Sequence, residues 1–492
     1  MTRKSGIASR KIMNKLFRKW NFLPVTVKSS AAFSVAMFLQ KGLQSLSTPI
    51  FTRLMSTSEY EIYTVYYAWS TIITIVATLN LASGVLNNQL VKGVHSRVEI
   101  VSSLQGLGSV WAAGFIIVFN ILYGFFGVRL SNIPLWIWNL MLFSFIFFPA
   151  MDLWTVSKRF YYEYIKPCIV MVVVALINFL IPLIVVLNSN NKGYARVITI
   201  IAVNLLVGLF FWILNLQKGK TFFSKKIWIA ALAFNLPLLP HFLSLSLLNQ
   251  MDKIMIERLC FSGQAAIYSV AHTVSAMIQL FMTAINFSLV PWTYQRLKAG
   301  ENMEIAKKTN VILICVGGIL CILMLFAPEV MRIMAPRQYY EAIYLIPPLA
   351  AGIFFNYLYQ LFSRIELYHE KTRMMMVGSI TCAVLNLILN YIFIKGYGYM
   401  AAAYTTLFCY LYLSVMHGLI ARYITIQNQY QNKPYNQKGI YIISISVLLI
   451  SFVIPFLYHF YFVRYLLIAV ICLFAVIRRG DILRIFKYVM SK

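Results

Sequence analysis

Apolar stretches of about 20 residues follow one another from Ser29 to Ile477, and the polar turns between them are short. Each stretch is long enough to cross about 30 Å of hydrocarbon as a helix. The pattern predicts about fourteen membrane-spanning helices, at 28–50, 62–84, 101–126, 133–156, 166–187, 195–216, 227–250, 264–290, 305–326, 341–363, 374–394, 398–421, 438–457 and 461–477. Pro455 and a short turn near His459 leave little room between the last two. An all-α integral membrane protein follows, with no polar stretch large enough for a separate soluble domain.

The pattern repeats. Arg53-Leu54, Ile62-Tyr63 and Val65 recur at one constant offset as Arg258-Leu259, Ile267-Tyr268 and Val270. The same offset carries Glu99-Ile100 to Glu304-Ile305, Arg159 to Arg364, Lys166 to Lys371, and Gly193-Tyr194 to Gly398-Tyr399. Spans 1–6 and 7–12 therefore read as two copies of one unit, with spans 13 and 14 outside the repeat. Six spans is an even number, so both copies enter the membrane in the same direction. Such parallel repeats place a cargo site where the halves meet, although duplication also builds larger bundles without one. The expected division is a basic tail at 1–27, an N-lobe at 28–220, a C-lobe at 221–424, and spans 13–14 with a basic tail at 425–492.

Composition agrees with the pattern: 60% of residues are hydrophobic and 12% charged, against roughly 25% charged in a soluble domain. The net charge of +29 would suit a nucleic-acid partner if it formed one basic face. With a cytoplasmic N-terminus, roughly three quarters of the 43 Lys and Arg fall on the cytoplasmic side. That is the positive-inside bias, so the charge sets orientation and attracts anionic lipid heads, with no nucleic acid called for. Both termini are expected in the cytoplasm. The N-terminal tail has no cleavable-signal pattern; Met13, Leu16, Phe17 and Trp20 share one helical face, so it either lies on the inner leaflet or serves only as a basic orientation anchor.

A few polar positions inside spans are candidates for function. Lys41 lies 13 residues after Lys28, about 20 Å along a helix, near or past the midplane, where a cation needs water, an anion or a partner. Gln44, Ser45 and Thr48 continue its polar face; a snorkelling or acid-paired lysine is the alternative. Span 8 carries His272, Ser275, Gln279, Thr283 and Asn286 at spacings that share one helical face. The repeat offset takes these to Tyr67, Ser70, Thr74, Thr78 and Leu81 in span 2. The two stripes read either as facing walls of a wet cavity or as interhelical hydrogen bonding. Span 7 is interrupted by Pro237 and Pro240, a candidate hinge, and ends in Asp252 and Lys253, for which an interfacial salt bridge near the outer end is the commoner explanation. Asp152, near the inner end of span 4, reads as an ion-pair partner of Lys158 or Arg159 before it reads as a proton carrier. Arg159 and Arg364 flank the same cytoplasmic loop in each copy and are expected to touch headgroups, or to receive a phosphate-bearing cargo.

Enzyme chemistry leaves no trace. There is no Walker A loop, HExxH, Asp-x-Asp or long outer loop with paired acids, and the six His are dispersed. The seven Cys lack metal or disulfide spacing. No metal or cofactor is called for.

TRLMSTSEYEIYTVYYAW at 52–69, NQMDKIMIERLCFSGQAAIYSVAHTVS at 249–275 and GYGYMAAAYTT at 396–406 resemble the polysaccharide (Wzx-type) flippases of the multidrug/oligosaccharidyl-lipid/polysaccharide (MOP) exporter superfamily. The likeness runs from about residue 28 to 480. It implies two six-helix lobes in a V-shaped, MATE-like bundle, spans 1, 2, 7 and 8 around a central cavity, and a bacterial inner membrane. The implied cargo is an undecaprenyl-diphosphate-linked oligosaccharide turned from the inner to the outer leaflet, with Lys41 at the diphosphate. Gln44, Thr48, Ser70, Thr74, His272, Ser275, Gln279 and Asn286 would meet the head or the sugars. A polysaccharide polymerase and a chain-length regulator are the implied partners. The lipid II branch places several arginines and an acid in its cavity, a set this sequence does not match. The rivals are a cation-coupled small-molecule exporter using Asp152, and a membrane glycan polymerase or ligase.

Overall fold

The computed structural model describes residues 24–83, 85–92, 96–126, 131–480 and 484. Most of both basic tails lies outside these residues. The described chain contains helices and no strands. The N-lobe comprises α1 (Val25–Leu54), α2 (Thr57–Ala77), α3 (Val85–Lys92), α4 (Arg97–Phe126), α5 (Leu135–Ser144), α6 (Pro149–Phe160), α7 (Ile165–Leu187) and α8 (Lys192–Gly219). The C-lobe follows as α9 (Lys225–Asn235), α10 (Leu239–Leu259), α11 (Gln264–Ala276), α12 (Ile278–Ala299), α13 (Asn302–Leu325), α14 (Ala327–Met334), α15 (Ile346–Tyr368), α16 (Thr372–Tyr397) and α17 (Ala401–Gln427). Two further helices, α18 (Gln437–Leu457) and α19 (Tyr461–Ile477), pack outside, on α13 and α15.

Ten of the described helical segments are long and apolar enough to cross a membrane, or eleven when the bent pair Arg337–Tyr344 and Ile346–Tyr368 counts as one span. This is a multi-pass membrane protein. The expected spans 1, 2 and 14 are not among them. The last has only a short apolar helix, Tyr461–Ile471. Helices α1 and α2 are 30 and 21 residues long, and their polar residues keep them off the apolar set. Lys41, Gln44, Thr48, Thr64 and Thr71 among those residues face the space between the lobes.

Proline punctuates two spans. Pro149 opens α6 after a break that splits the expected span 4, because a proline lacks the N–H that would continue the helix. Pro237 lies within a 3-10 turn at Leu236–Leu238 between α9 and α10, and Pro240 stands in the first turn of α10, at the expected hinge. The two halves of span 7 have different allegiances. Ile227 and Ala231 of α9 join an N-lobe core with Leu79 and Leu104, and Asn235 Nδ2 donates to Leu79 O at 2.7 Å. Helix α10 packs with α16 of the C-lobe and equally with α2 of the N-lobe, where Ala68 and Ile72 meet Ile254. The N-lobe core thus runs past the sequence boundary at 220/221, through α9 to the proline turn some 16 residues later.

Within the bilayer the apolar effect does not drive helices together, so close approach and hydrogen bonds matter more. In the C-lobe, α15 packs on α17, and the small residues Ala350, Ala351 and Gly352 of α15 and Ala402 and Ala403 of α17 are buried. A Cβ added at Gly352 would sit 3.5 Å from the Leu407 Cα. This close contact makes α15 the buried axis of its lobe.

The lobes close on one another at one end. Thr52 Oγ1 donates to Met334 O at 3.1 Å, and Arg53 Nη2 donates to Arg332 O at 3.2 Å and Ile333 O at 2.8 Å. Across the same seam Glu61 accepts from the backbone N–H of Gly263 at 2.9 Å and Ala265 at 3.0 Å. An N-lobe carboxylate therefore caps the open N–H groups and positive dipole end of α11. Gly263 has φ +90°, and an added Cβ would lie 2.6 Å from Thr57 Oγ1, so glycine is required twice over there.

Candidate functional site

Beneath that seam lies a cavity of about 450 Å³ between the lobes. Its walls are α1, α2 and the start of α8 from the N-lobe, and α10, α11 and α12 from the C-lobe. Lys41, Arg196, Lys253 and His272 all line it, and among the described residues that line it there is no Asp or Glu. The remaining polar lining includes Gln44, Thr48, Tyr67, Asn249 and Gln279. Gln44 Nε2 donates to Tyr67 Oη at 3.3 Å, tying α1 to α2.

Arg196, which the sequence did not single out, is 2% exposed. Its guanidinium carbon lies 3.8 Å from the Phe51 ring centroid and 3.5 Å from that of Tyr63. Aromatic faces attract a cation without neutralising it, and its Nε and Nη1 have no hydrogen-bond acceptor. Both atoms are buried, so the guanidinium brings positive charge to the cavity wall while these two donors do not open onto the cavity. Lys253 adds a second cation, its Nζ donating to Gln250 Oε1 at 2.8 Å.

Asp252 and Lys253 are not the interfacial salt bridge expected for them. Adjacent residues on a helix point about 100° apart, so Lys253 faces the cavity while Asp252 faces the C-lobe interior and is 2% exposed. There Asp252 accepts from Tyr268 Oη at 2.5 Å, Asn390 Nδ2 at 2.6 Å, Thr406 Oγ1 at 2.6 Å and Asn386 Nδ2 at 3.5 Å. Four neutral donors from three other helices surround the carboxylate. Asn386 and Asn390, four residues apart in an otherwise apolar span, were the overlooked signal.

The expected stripe on span 8 is divided. The helix breaks at Met277, whose N–H bonds Val274 O in a tightened turn. His272, Gln279 and Thr283 line the cavity. Ser275 is fully buried against the C-lobe, 3.5 Å from Ile346 O, so it is not a lining residue. Asn286 lines a neighbouring chamber. On α2 the lining positions are Tyr60, Tyr63, Thr64, Tyr67, Thr71 and Ile75; Ser70 and Thr74 lie on other faces and do not line it. The offset transferred sequence positions correctly but not the phase of a helix that breaks in one copy and not in the other.

The outlying candidates also move. Lys158, an expected partner of Asp152, pairs with Glu163, and Asp152 is exposed on α6 and not part of the cavity lining. Arg159 is exposed, with its guanidinium 5.4 Å over the Phe33 ring. Arg364 is a correction: it is 4% exposed and donates from Nη2 to Asn286 Oδ1 at 2.6 Å, so it is not a headgroup contact. Among the described residues no group of His, Cys, Asp and Glu is arranged to hold a metal ion.

Residues 26–297, more than half of the chain, match the model of a family described as polysaccharide biosynthesis protein. The chain belongs to that family. Residues 237–392 also match the MatE family model. No curated protein sequence matches the chain. Among solved structures, this family member is similar to the lipid II flippase MurJ in an inward closed conformation, at 15% identity and TM-score 0.64, over 92% of this chain and 99% of that one. It is also similar to an inward-facing multidrug resistance MATE family transporter of the MOP superfamily, at 13% identity and TM-score 0.61, over 80% and 96%. A MOP superfamily transporter from Pyrococcus furiosus aligns at 13% identity and TM-score 0.56, over 81% and 96%. At these identities the likeness fixes the fold, which is that of the MOP superfamily.

Proposed function

We propose that this protein is a flippase for a polyprenyl-diphosphate-linked oligosaccharide in a bacterial cytoplasmic membrane. The observation that carries the reading is the charge of the central cavity: Lys41, Arg196 and Lys253 in its walls, with no acid among the described lining residues. A diphosphate is the anion that a lipid-linked glycan brings into such a space, and guanidinium and ammonium groups suit it as fork and point charge. The sugars travel in the wet interior while the prenyl tail stays in lipid. With both termini cytoplasmic, as the positive-inside bias favours, the Arg53 and Glu61 seam is extracytoplasmic and the protein is closed to the outside. A polysaccharide polymerase and a chain-length regulator would then act on the delivered glycan at the outer face.

Alternating access needs the lobes to part at that seam, with the proline turn at 236–238 as the hinge, since it separates a half-helix held in the N-lobe core from one that packs on both lobes. Asp252 is the coupling group in this reading. A buried carboxylate amid neutral donors can take up a proton or a small monovalent cation from one side and release it to the other. Its neighbour Lys253 connects that event to the cavity along one helix.

The test is export of the surface glycan in cells carrying Lys41→Ala or Arg196→Ala at normal protein level. Accumulation of lipid-linked oligosaccharide on the inner leaflet is the expected outcome, and full export by the double variant defeats the reading. A cation-coupled small-molecule exporter is the second reading, favoured by the MatE match over 237–392 and by buried Asp252, not by Asp152. It predicts drug accumulation in Asp252→Asn cells with glycan export unchanged.

A further inference from the structure

Beside the central cavity the C-lobe holds a second chamber of about 330 Å³, between α10, α12, α15 and α17. Leu245, Asn249, Gln279 and Thr283 line both spaces, so single side chains form the partition. The two differ in chemistry. No residue lining the chamber is charged; its polar groups are the amides of Asn249, Gln279, Asn286, Asn356 and Gln360, the hydroxyl of Thr283 and the tyrosines 359 and 410.

The amides are held in order. Arg364 Nη2 donates to Asn286 Oδ1 at 2.6 Å, Asn286 Nδ2 to Gln360 Oε1 at 3.1 Å, and Gln360 Nε2 to Asn356 Oδ1 at 2.8 Å. Tyr410 Oη donates to Asn249 Oδ1 at 2.8 Å on the opposite wall. The buried arginine fixes which end of Asn286 is oxygen, and that choice propagates along the chain. Each amide retains a second N–H or a second lone pair for a guest.

We propose that this chamber is a sugar subsite, taking an uncharged sugar of the glycan whose diphosphate lies at Lys41, Arg196 and Lys253; the proposal rests on that reading of the central cavity. A sugar hydroxyl both donates and accepts, as does each amide, and a prearranged amide chain loses little freedom when the sugar binds. An apolar guest would leave the amides unpaired, which disfavours it. An anionic sugar would meet no cation of its own, because Arg364 is committed to Asn286. The volume lies within the roughly 300–1,000 Å³ of small-molecule pockets.

The experiment measures binding to the purified full chain of farnesyl diphosphate, bare or bearing glucose, galactose, N-acetylglucosamine or glucuronic acid. At least one neutral sugar is expected to bind about tenfold tighter than the bare lipid, as a few net hydrogen bonds provide, and glucuronic acid no tighter than the bare lipid. Gln360→Leu is expected to remove the sugar increment and leave bare-lipid affinity unchanged. Bare-lipid affinity also reports folding: if Gln360→Leu loses it, Asn356→Ala, at the end of the chain away from Arg364, is the deciding variant and must lose the increment alone. The subsite is overturned if no neutral sugar improves on the bare lipid, if glucuronic acid binds best, or if the deciding variant keeps the increment. In each of those cases bare-lipid binding survives. A wild-type protein that binds none of the five lipids overturns the cavity reading, and the subsite with it.

Discussion

The two lobes share a scaffold and divide the chemistry. In the C-lobe, Asp252 is ringed by Asn386, Asn390 and Thr406; the repeat places Ser47, Ile181, Val185 and Ile201 at the matching N-lobe positions. In the N-lobe, Arg196 is stacked between Phe51 and Tyr63; its C-lobe mate is Ala401. Of the aromatic frame only Tyr63 has an aromatic mate, Tyr268, while Phe51 answers to Ile256; the charge that tyrosine serves is reversed, a guanidinium in one lobe and a carboxylate in the other. Duplication supplied two equivalent half-cavities, and a cargo with one charged end needs them to differ.

The most damaging way to erase that difference is to remove the N-lobe cation. Arg196→Ala is expected to lower glycan export at least about tenfold, the factor that about 1.4 kcal/mol of lost binding gives. Arg196→Lys should recover little, because an ammonium cannot fill a slot shaped between two rings by a planar group. Comparable export by wild type and Arg196→Lys would mean that charge alone matters there.

Next in size is Asp252→Asn, which keeps the shape of the C-lobe cluster and removes its charge. Substrate affinity is expected within about twofold of wild type, since Asp252 does not face the cavity, while turnover falls at least about tenfold. Turnover and affinity falling together would make Asp252 a structural group. Placing the acid in the other lobe as Ser47→Asp should not restore Asp252→Asn, because Ile181, Val185 and Ile201 offer it no donors.

The seam gives a smaller effect. Glu61→Gln weakens the cap on α11 by about 1 kcal/mol, and thus the closed state by several-fold. Labelling of Thr64→Cys by an impermeant thiol reagent added outside should speed up accordingly. An unchanged rate would separate Glu61 from gating.

Much of the fold was legible because membrane spans are long and the repeat was ungapped. Lys41, Gln44, Thr48, His272 and Gln279 were found as polar residues in apolar surroundings, and they do share one cavity. What escaped depended on helix phase and ends. Arg196 sits one turn inside α8, close enough to its start to count as a loop charge. Ser275 and Arg364 turn away from their expected surroundings because the helices carrying them bury those faces. Asp252 and Lys253 look like a pair in one dimension and point into different compartments in three.

The smallest effect tests a contact that the two copies do not share. On the loop after α6, Lys158 and Arg97 hydrogen-bond Glu163 and hold its carboxyl below the usual range. The repeat mate of Glu163 is Tyr368, with no charge to pair. A depressed carboxylate stabilises the folded loop above its unfolded range, and that contribution is lost as pH falls through the lowered value. Proteolysis at residues 161–164 should therefore rise on acidification, with Glu163→Gln already raised at neutral pH. The half-exposed side chain makes the change modest.

The central claim is that the cavity carries an anionic lipid head across the membrane. It is tested most directly by flipping of a prenyl-diphosphate-linked oligosaccharide in proteoliposomes made with wild-type protein or the Lys41→Ala, Arg196→Ala, Lys253→Ala triple variant. The account predicts sided movement by the wild type and none above empty vesicles by a folded triple variant. Equal rates for the two would contradict it.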